Sequence, residues 1–581
     1  MIRVNQLKIP ILELPRTAEG KTDREGELLL LKKRAAKLLG VRADGIRKLR
    51  IVRRSIDARE KNNILFVYTL RVRLHDSITG PTAETEEAFV KKLRNKNLVR
   101  EDAVPFTPPV PAEETRAYFL SEGHRPVIAG AGPCGLFAAL ILAEAGLKPL
   151  VIERGAPAEE RVKTLDRFFE TGKLDPASNV QFGEGGAGMF SDGKLNTSVK
   201  GQAGSIRYVL ETFVRFGADK EILTDQKPHI GTDLLTEVVK RMREAIIAAG
   251  GEFRFHTRLT AFETGADGRL QAILTERSGH GAGDARRMEE DKASAVKRIP
   301  TDCCILAIGH SARDTFAMLK AAKVQLEQKS FAMGVRIQHP QQLIDSALYG
   351  ADRLEEKQAL LGPASYKLVH SCQNGRSIYS FCMCPGGYVV NSSSEEGRLC
   401  VNGMSYHDRA SGTANAALIV NITPADFPSE DPLSGIELQR ELEEKAYRLA
   451  DGMIPYETWD EFKRSEKMPC GVTKTTEPRF KGYAAPADVR SILPSFMREA
   501  LLEGMGAFGR QIPGFDGGDA VVAGIEARTS SPVRIVRGES GESSMPGLYP
   551  AGEGAGYAGG ITSAAVDGIR AAIKLLDAAH H

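Results

Sequence analysis

The stretch that most constrains this chain is residues 127–155, VIAGAGPCGLFAALILAEAGLKPLVIERG. A short apolar strand enters Gly130-x-Gly132-x-x-Gly135, an apolar helix follows, and a second strand at 149–152 ends at Glu153. This is a βαβ unit carrying a dinucleotide fingerprint. Gly130 permits the tight turn, Gly132 lets backbone approach a pyrophosphate, and Gly135 lets helix and strand pack closely. Pro133 and Cys134 open the helix, whose free N–H groups and positive dipole end face the phosphates. Glu153 follows Gly130 by 23 positions, near the spacing expected of an acid that binds a ribose hydroxyl, and Arg154 stands beside it. The adenosine half of a dinucleotide is expected here.

The same letters recur at Gly183-Gly185-Gly188, Gly504-Gly506-Gly509 and Gly554-Gly556-Gly559. The match at Gly504 follows a helical stretch and runs into Arg510-Gln511-Ile512-Pro513, so no helix is expected to open there. Only the Gly130 match lies between a strand and a helix with an acid correctly placed.

A chain of 581 residues is too long for one core and implies about three or four domains. The opening MIRVNQLKIP has no charged-then-apolar leader, and eight cysteines over this length make no disulfide scaffold; a reducing cytoplasm is expected. The uncharged run 126–143 approaches the length of a membrane span, but its glycines and Pro133 make it the strand-turn-helix already described, and no membrane span is expected.

The net charge of +3 conceals an asymmetry: residues 1–100 hold 24 Lys+Arg against 12 Asp+Glu, and the rest 54 against 63. Residues 1–105 read as a small α+β domain with helices near 24–39 and 84–94 and strands at 46–57 and 63–74. The runs KLRIVRRSID and ILFVYTLRVRL alternate apolar with basic residues, the pattern of a half-buried antiparallel pair with a cationic outer face. Arg47, Lys48, Arg50, Arg53, Arg54, Arg71 and Arg73 are expected there. That face suits nucleic acid or an acidic partner; a solvated face complementing the acidic remainder is the plainer reading, since no stacking aromatics accompany it.

VPFTPPVP at 104–111 marks a boundary, and 106–120 reads as a linker. Residues 121–325 read as the nucleotide domain. They include the glycine-rich NVQFGEGGAGMFSDGKLNT, in which Gly185, Gly186 and Lys194 are expected to lie against a flat or phosphorylated ligand. The strand expected at 251–263 leads into a hairpin with a long charged tip near 278–297. A buried strand then ends in Gly309, a second cofactor-facing turn. Residues 326–544 read as an inserted domain built mainly on sheet, and 545–581 return to close the nucleotide domain with a strand, Gly552-Glu553, a glycine turn and a helix.

Fingerprint, midway glycine turn and terminal strand–Gly–acid–turn–helix together resemble FAD flavoproteins of the glutathione-reductase type. The resemblance implies that Glu553 binds a ribitol hydroxyl, although that class more often has Asp there. It also implies that Gly560 and Ile561 offer N–H groups to the pyrimidine side of the flavin. More narrowly, NVQFGEGGAGMFSDGKLNT, FCMCPGGYVV, GIEARTSSPVRI and GEGAGYAGGITSAAVDGI are similar to bacterial FAD-dependent dehydrogenases of unassigned substrate, and the likeness extends over nearly the whole chain. The implied fold is α/β: an FAD-binding Rossmann-like three-layer domain, an inserted mainly-β (α+β) substrate domain and a small N-terminal α+β domain.

The implied chemistry is hydride transfer between flavin N5 and a small, anionic substrate. No second nucleotide domain is visible, so NAD(P)H as a donor binds transiently in the substrate cleft. Substrate-site candidates are Arg336, His339, Cys382, Cys384, His407, Arg409 and Arg528: the arginines to hold a carboxylate, the imidazoles to exchange protons. Cys382 and Cys384, two apart on a strand, are expected to face the same side as a candidate redox dithiol. No metal site is expected, because His and Cys lack paired spacing. An FAD-containing nucleic-acid-binding or RNA-modifying protein is the alternative.

Overall fold

The computed structural model describes residues 1–102, 105–197, 203–278, 296–464 and 477–578. The chain divides into two units. The smaller comprises Met1–Phe106, Asp219–Pro228 and Gln341–Ser365, and the larger holds Thr107–Ala218, His229–Pro340 and Tyr366–His581.

In the smaller unit an antiparallel sheet runs in the order Ile46–Asp57, Leu65–Leu74, Ile2–Pro10, Leu98–Arg100. Strict alternation along Leu65–Leu74 buries Phe66, Tyr68, Leu70, Val72 and Leu74, and the apolar side of helix Arg24–Leu39 (Leu31, Ala35, Leu39) is buried with them. Asp23 caps that helix by accepting from the Glu25 and Gly26 N–H groups, and Gly40 ends it at φ 64°. Buried Glu27 accepts from the Tyr68 hydroxyl at 2.6 Å and pairs with Arg24 at 3.0 Å. The sequence pattern placed these strands well. It did not anticipate that 219–228 and 341–365 join this unit: Arg54 and Asp225 pair at 2.8 Å, and the Arg54 N–H donates to Thr224 O.

The larger unit is built on a five-stranded parallel sheet ordered Leu548–Pro550, Cys304–Leu306, Val127–Ala129, Leu150–Ile152, Glu252–Arg254. The order reverses between Val127–Ala129 and Cys304–Leu306, so a crevice opens there at the strands' carboxyl ends. The fingerprint helix, Pro133–Glu144, is buried along every residue from Cys134 to Ala143, as befits a helix apolar all round. The closing helix Ile561–Ala578 lies so near it that a Cβ on Gly568 would stand 2.0 Å from Cys134 O.

The inserted segment forms a seven-stranded sheet, including Phe331–Pro340, Ser377–Cys384, Thr413–Ile422 and Val521–Glu526, and a smaller three-stranded one. This is the α/β class that the sequence implied, a parallel sheet beside several antiparallel ones.

Three local expectations change. The stretch 106–120 contains a helix, Glu113–Leu120, with two acids in its first turn. The strand expected at 251–263 is broken by His256 at φ 51° into Glu252–Arg254 and Thr257–Thr264. Gly504, Gly506 and Gly509 lie inside one helix, Ser495–Gln511, where Gly504 admits the Ile378 side chain. Most of the charged hairpin tip, 279–295, lies outside the described residues. Among the described residues, no helix is long and apolar enough to cross a membrane.

Candidate cofactor cleft

The fingerprint turn is shaped by what its glycines exclude. A Cβ on Gly130, at φ 108°, would lie 2.3 Å from Ala307 O, and one on Gly135 1.9 Å from Gly130 O. Two backbones and a helix therefore meet at distances only hydrogen allows. Gly132 caps the helix without any side-chain hydrogen bond, which leaves its first N–H groups facing the crevice. Glu153 is 7% exposed and holds the turn: Oε2 accepts from Ala131 N–H at 2.8 Å, and Oε1 from Gly155 at 2.9 Å and Gly183 at 3.0 Å. The residue expected on the ribose thus spends both oxygens on backbone amides while still lining the cleft.

The glycine-rich loop is pinned by a residue that sequence reading missed. Arg161, on helix Ala158–Thr171, is wholly buried and donates to the carbonyls of Asn179, Val180, Gly183, Glu184 and Gly186 at 2.7–3.3 Å. Burial lowers its pKa to about 9. Neighbouring Glu184 accepts from Ala158 N–H and Arg243, leaves Oε1 without a partner, and is raised by burial to about 7. An arginine inside an amphipathic helix gives no sequence signal of its own; only its inward direction reveals the role.

These parts line one cleft, with about 1510 Å³ of empty space including its open mouth. Of the expected cofactor residues, Gly130, Gly132, Pro133, Cys134, Glu153, Arg154, Gly186, Lys194, Gly309, Glu553, Gly560 and Ile561 line it. Gly135, Gly185 and Gly552 do not. Gly135 packs on Gly130, Gly185 faces Met189, and Gly552 faces Cys134 and donates its N–H to Asp567, a buried acid of the closing helix.

The cleft fits an FAD molecule on its own features. The Gly132 and Gly186 backbones face each other across the cleft, a Cβ on either standing 3.7 or 3.1 Å from the other's Cα. A Cβ on Gly309 or Gly559 would meet nothing within 4 Å, so the cleft stays wide there. His310 is buried in the lining with Nε2 unpartnered and Nδ1 3.6 Å from Glu553. Its free nitrogen suits a polar ligand atom.

At the other end of the cleft, Asp192 is buried at 2% exposure and gathers cations. Lys194 approaches at 2.9 Å, Arg409 donates twice at 3.1 and 2.6 Å, and the Ser405 hydroxyl donates as well. Burial opposes its charge, yet Lys194 and Arg409 hold its pKa at about 2. Burial likewise opposes the Lys194 ammonium, and Asp192 holds that group above its ordinary value. Lys194, 30% exposed, also donates to Met383 O, which puts a fixed positive charge on the lining.

Cys382 and Cys384 both line the cleft but do not face the same side. The ladder slips between Phe381 and Cys384, and Cys382 takes φ 39°. Cys384 is buried with its thiol 3.2 Å from Cys382 O, while Cys382 opens onto the cleft. Protein on its other sides pushes the Cys382 thiol up to about 12, against the pull of Lys194 and Arg336. A bulge thus replaces the regular strand that the dithiol expectation required.

The arginines expected to hold substrate are committed elsewhere. Arg336 is fully buried and bonds to both oxygens of Glu526, to Asn402, to Asn415 and to Cys382 O, so it positions the bulge. Arg528 lines the cleft, but its guanidinium binds Glu443 at 2.8 Å through two nitrogens and Ser394 through the third. Arg409 is absorbed by Asp192. His407 stacks on His229 and bonds to Ile230 O at 3.0 Å, and His339 bonds to Phe515 O at 2.7 Å; neither lines the cleft.

Comparison with known proteins supplies the cofactor. Residues 125–284 match an FAD binding domain, residues 330–529 an FAD-dependent protein, C-terminal domain-like, and residues 1–73 a domain of unknown function. An uncharacterized protein of Clostridium beijerinckii is 40% identical over 559 residues, covering 95% of this chain and 97% of that one. Among solved structures, a geranylgeranyl bacteriochlorophyll reductase-like protein of Thermoplasma acidophilum aligns at 13% identity, TM-score 0.32, over 78% of each chain. A quinol fumarate reductase of E. coli aligns at 12% identity, TM-score 0.34, over 78% of this chain and 70% of that one. These structural likenesses are too distant to carry function. The sequence matches decide the family: the chain belongs to the FAD-dependent proteins that join this FAD binding domain to this C-terminal domain.

Proposed function

We propose that the protein is an FAD-dependent oxidoreductase that transfers hydride to or from a small anionic substrate bound between Lys194 and Cys382. The observation that supports this most is the Lys194 ammonium, fixed on the cleft lining by Asp192 and Met383 O. With Arg409 and Asp192 it leaves one net positive charge at that end, which favours a carboxylate or phosphate there. FAD, when bound, supplies reversible two-electron chemistry. The uncapped start of the fingerprint helix would hold its pyrophosphate, and the start of the closing helix at Ile561 presents a second positive dipole end to the lining. Cys382, a neutral thiol at pH 7 given its raised pKa, is the candidate proton donor at Sγ.

The test is an anaerobic titration of the flavin-loaded protein with NADPH and NADH, followed by a screen of small carboxylates and phosphates, monitored by flavin absorbance. Bleaching by a nicotinamide makes NAD(P)H the transient donor. Bleaching only by an anionic substrate makes the protein a dehydrogenase of that substrate. A protein that takes up FAD and exchanges electrons with neither sinks the proposal. Lys194→Gln separates binding from chemistry: KM for the anion rises about 10- to 100-fold, the loss of one charge-assisted contact, with a smaller change in kcat.

A further inference from the structure

The smaller unit carries a feature that redox chemistry does not use. Its order of elements, strand-helix-strand-strand-helix-strand, leaves both main helices on one side of the sheet. Residues opposite one another in adjacent strands share a face, so the register identifies what projects from the other side. Lys48 stands opposite Arg73, and Arg50, Arg71 and Arg3 lie side by side across three strands. Arg53 follows along the edge strand, opposite Thr69.

Glu101 pairs with both Arg3 and Arg71 at 2.8 Å each, which leaves one net positive charge on the three. Lys48, Arg50, Arg53 and Arg73 are exposed and make no ion pair or side-chain hydrogen bond among the described residues. Like charges in register repel, and a sheet that sets them together without counter-ions is suited to a ligand that brings its own.

We propose that this helix-free face binds a single-stranded nucleic acid through its phosphates, with Lys48, Arg50, Arg53 and Arg73 as the contact set. Both main helices lie on the other side, so neither projects from this face to enter a duplex groove, whereas a flexible polyphosphate chain can follow its strands. Its uncharged positions include Ser55, Leu65, Val67, Thr69 and Val99, its far end carries Lys8 and an Asp57 already paired with Lys8 and Arg59, and no aromatic ring joins these described residues to stack a base. Recognition is therefore electrostatic and independent of base sequence. This inference stands apart from the redox proposal, because its residues belong to the other unit.

The experiment measures fluorescence anisotropy of a fluorescein-labelled 12-nucleotide oligouridylate with the full-length, flavin-loaded protein at 50–200 mM salt. Four phosphate contacts on a single strand give a log–log salt slope of about −2.8, or about 50-fold weaker binding across that range. The quadruple variant Lys48→Glu, Arg50→Glu, Arg53→Glu, Arg73→Glu is expected to lose at least 100-fold and most of the slope. The charge-keeping variant Arg50→Lys, Arg53→Lys, Arg73→Lys is expected to stay within about threefold, and flavin absorbance checks that each variant folds. Absence of binding at 50 mM salt overturns the proposal, as does unchanged binding by the Glu variant. Equal competition by polyglutamate, charge for charge, also overturns it, in favour of an acidic protein partner.

Discussion

Replacing Asp192 by Asn gives the sharpest test of how the cleft's anion end is built. Asp192 is buried beneath Lys194 and Arg409, and its pKa falls from an ordinary 3.8 to about 2. A carboxyl depressed in the folded state adds stability above its unfolded pKa, and loses it as pH falls through the folded one. That fall corresponds to about 2.4 kcal/mol at ~1.36 kcal/mol per tenfold change in proton affinity. Asn also leaves two cations without their shared partner, and breaking a buried pair costs about 3–5 kcal/mol, so a loss of about 3–4 kcal/mol is expected at pH 7. The assay is urea unfolding of wild type and variant, followed by the fluorescence of released flavin. Between pH 7 and pH 3 the gap should narrow by about 1 kcal/mol, because acid removes the charge from wild type as the mutation does. A variant within about 0.5 kcal/mol of wild type at pH 7, the scale of an ordinary surface change, would refute the account. So would a gap that does not change with pH.

Other expectations follow from the same geometry. Gly135→Ala places a methyl 1.9 Å from Gly130 O and should abolish FAD retention on gel filtration, whereas Gly559→Ala, whose Cβ meets nothing within 4 Å, should retain it. Arg161→Met removes donors from five carbonyls and should destabilise the flavin-binding unit by at least about 3 kcal/mol, read as an earlier urea midpoint for flavin release. Cys384→Ser should leave flavin reduction unchanged, because the bulge separates the two thiols; a loss of reduction would restore the dithiol. Cys382 should alkylate with iodoacetamide about tenfold faster per pH unit from pH 8 towards its pKa of about 12, and bound FAD should slow it; mass spectrometry of labelled peptides reads both.

Local pattern carried much of this fold. Gly130, Gly132 and Gly135 between strand and helix announced a dinucleotide crevice, since each glycine answers a steric demand made within a few residues. Alternation along Leu65–Leu74 announced a half-buried strand, because a two-residue period has one meaning in a sheet. Glu153 was legible as an acid at the turn, but the three amides it binds were not, since Gly183 comes from a distant loop. The Gly504 match shows the converse: identical letters sit in the middle of a helix, where packing against Ile378 explains the glycine.

The amino-acid order alone therefore determined the fingerprint strand–turn–helix, the return of the closing strand to its sheet and the basic character of the first hundred residues. Those features rest on interactions between residues near in sequence, or on summed charge. Tertiary structure alone decided which polar groups are free to act. Arg336, Arg409 and Arg528 read in sequence as equivalent candidates, and each is taken by a carboxylate remote in the chain: Glu526, Asp192 and Glu443. Lys194 shares Asp192 and still reaches the cleft. A positive charge is left for a ligand where cations outnumber the carboxylates they pair with, as Lys194 and Arg409 do at Asp192, and the fold chooses those pairs.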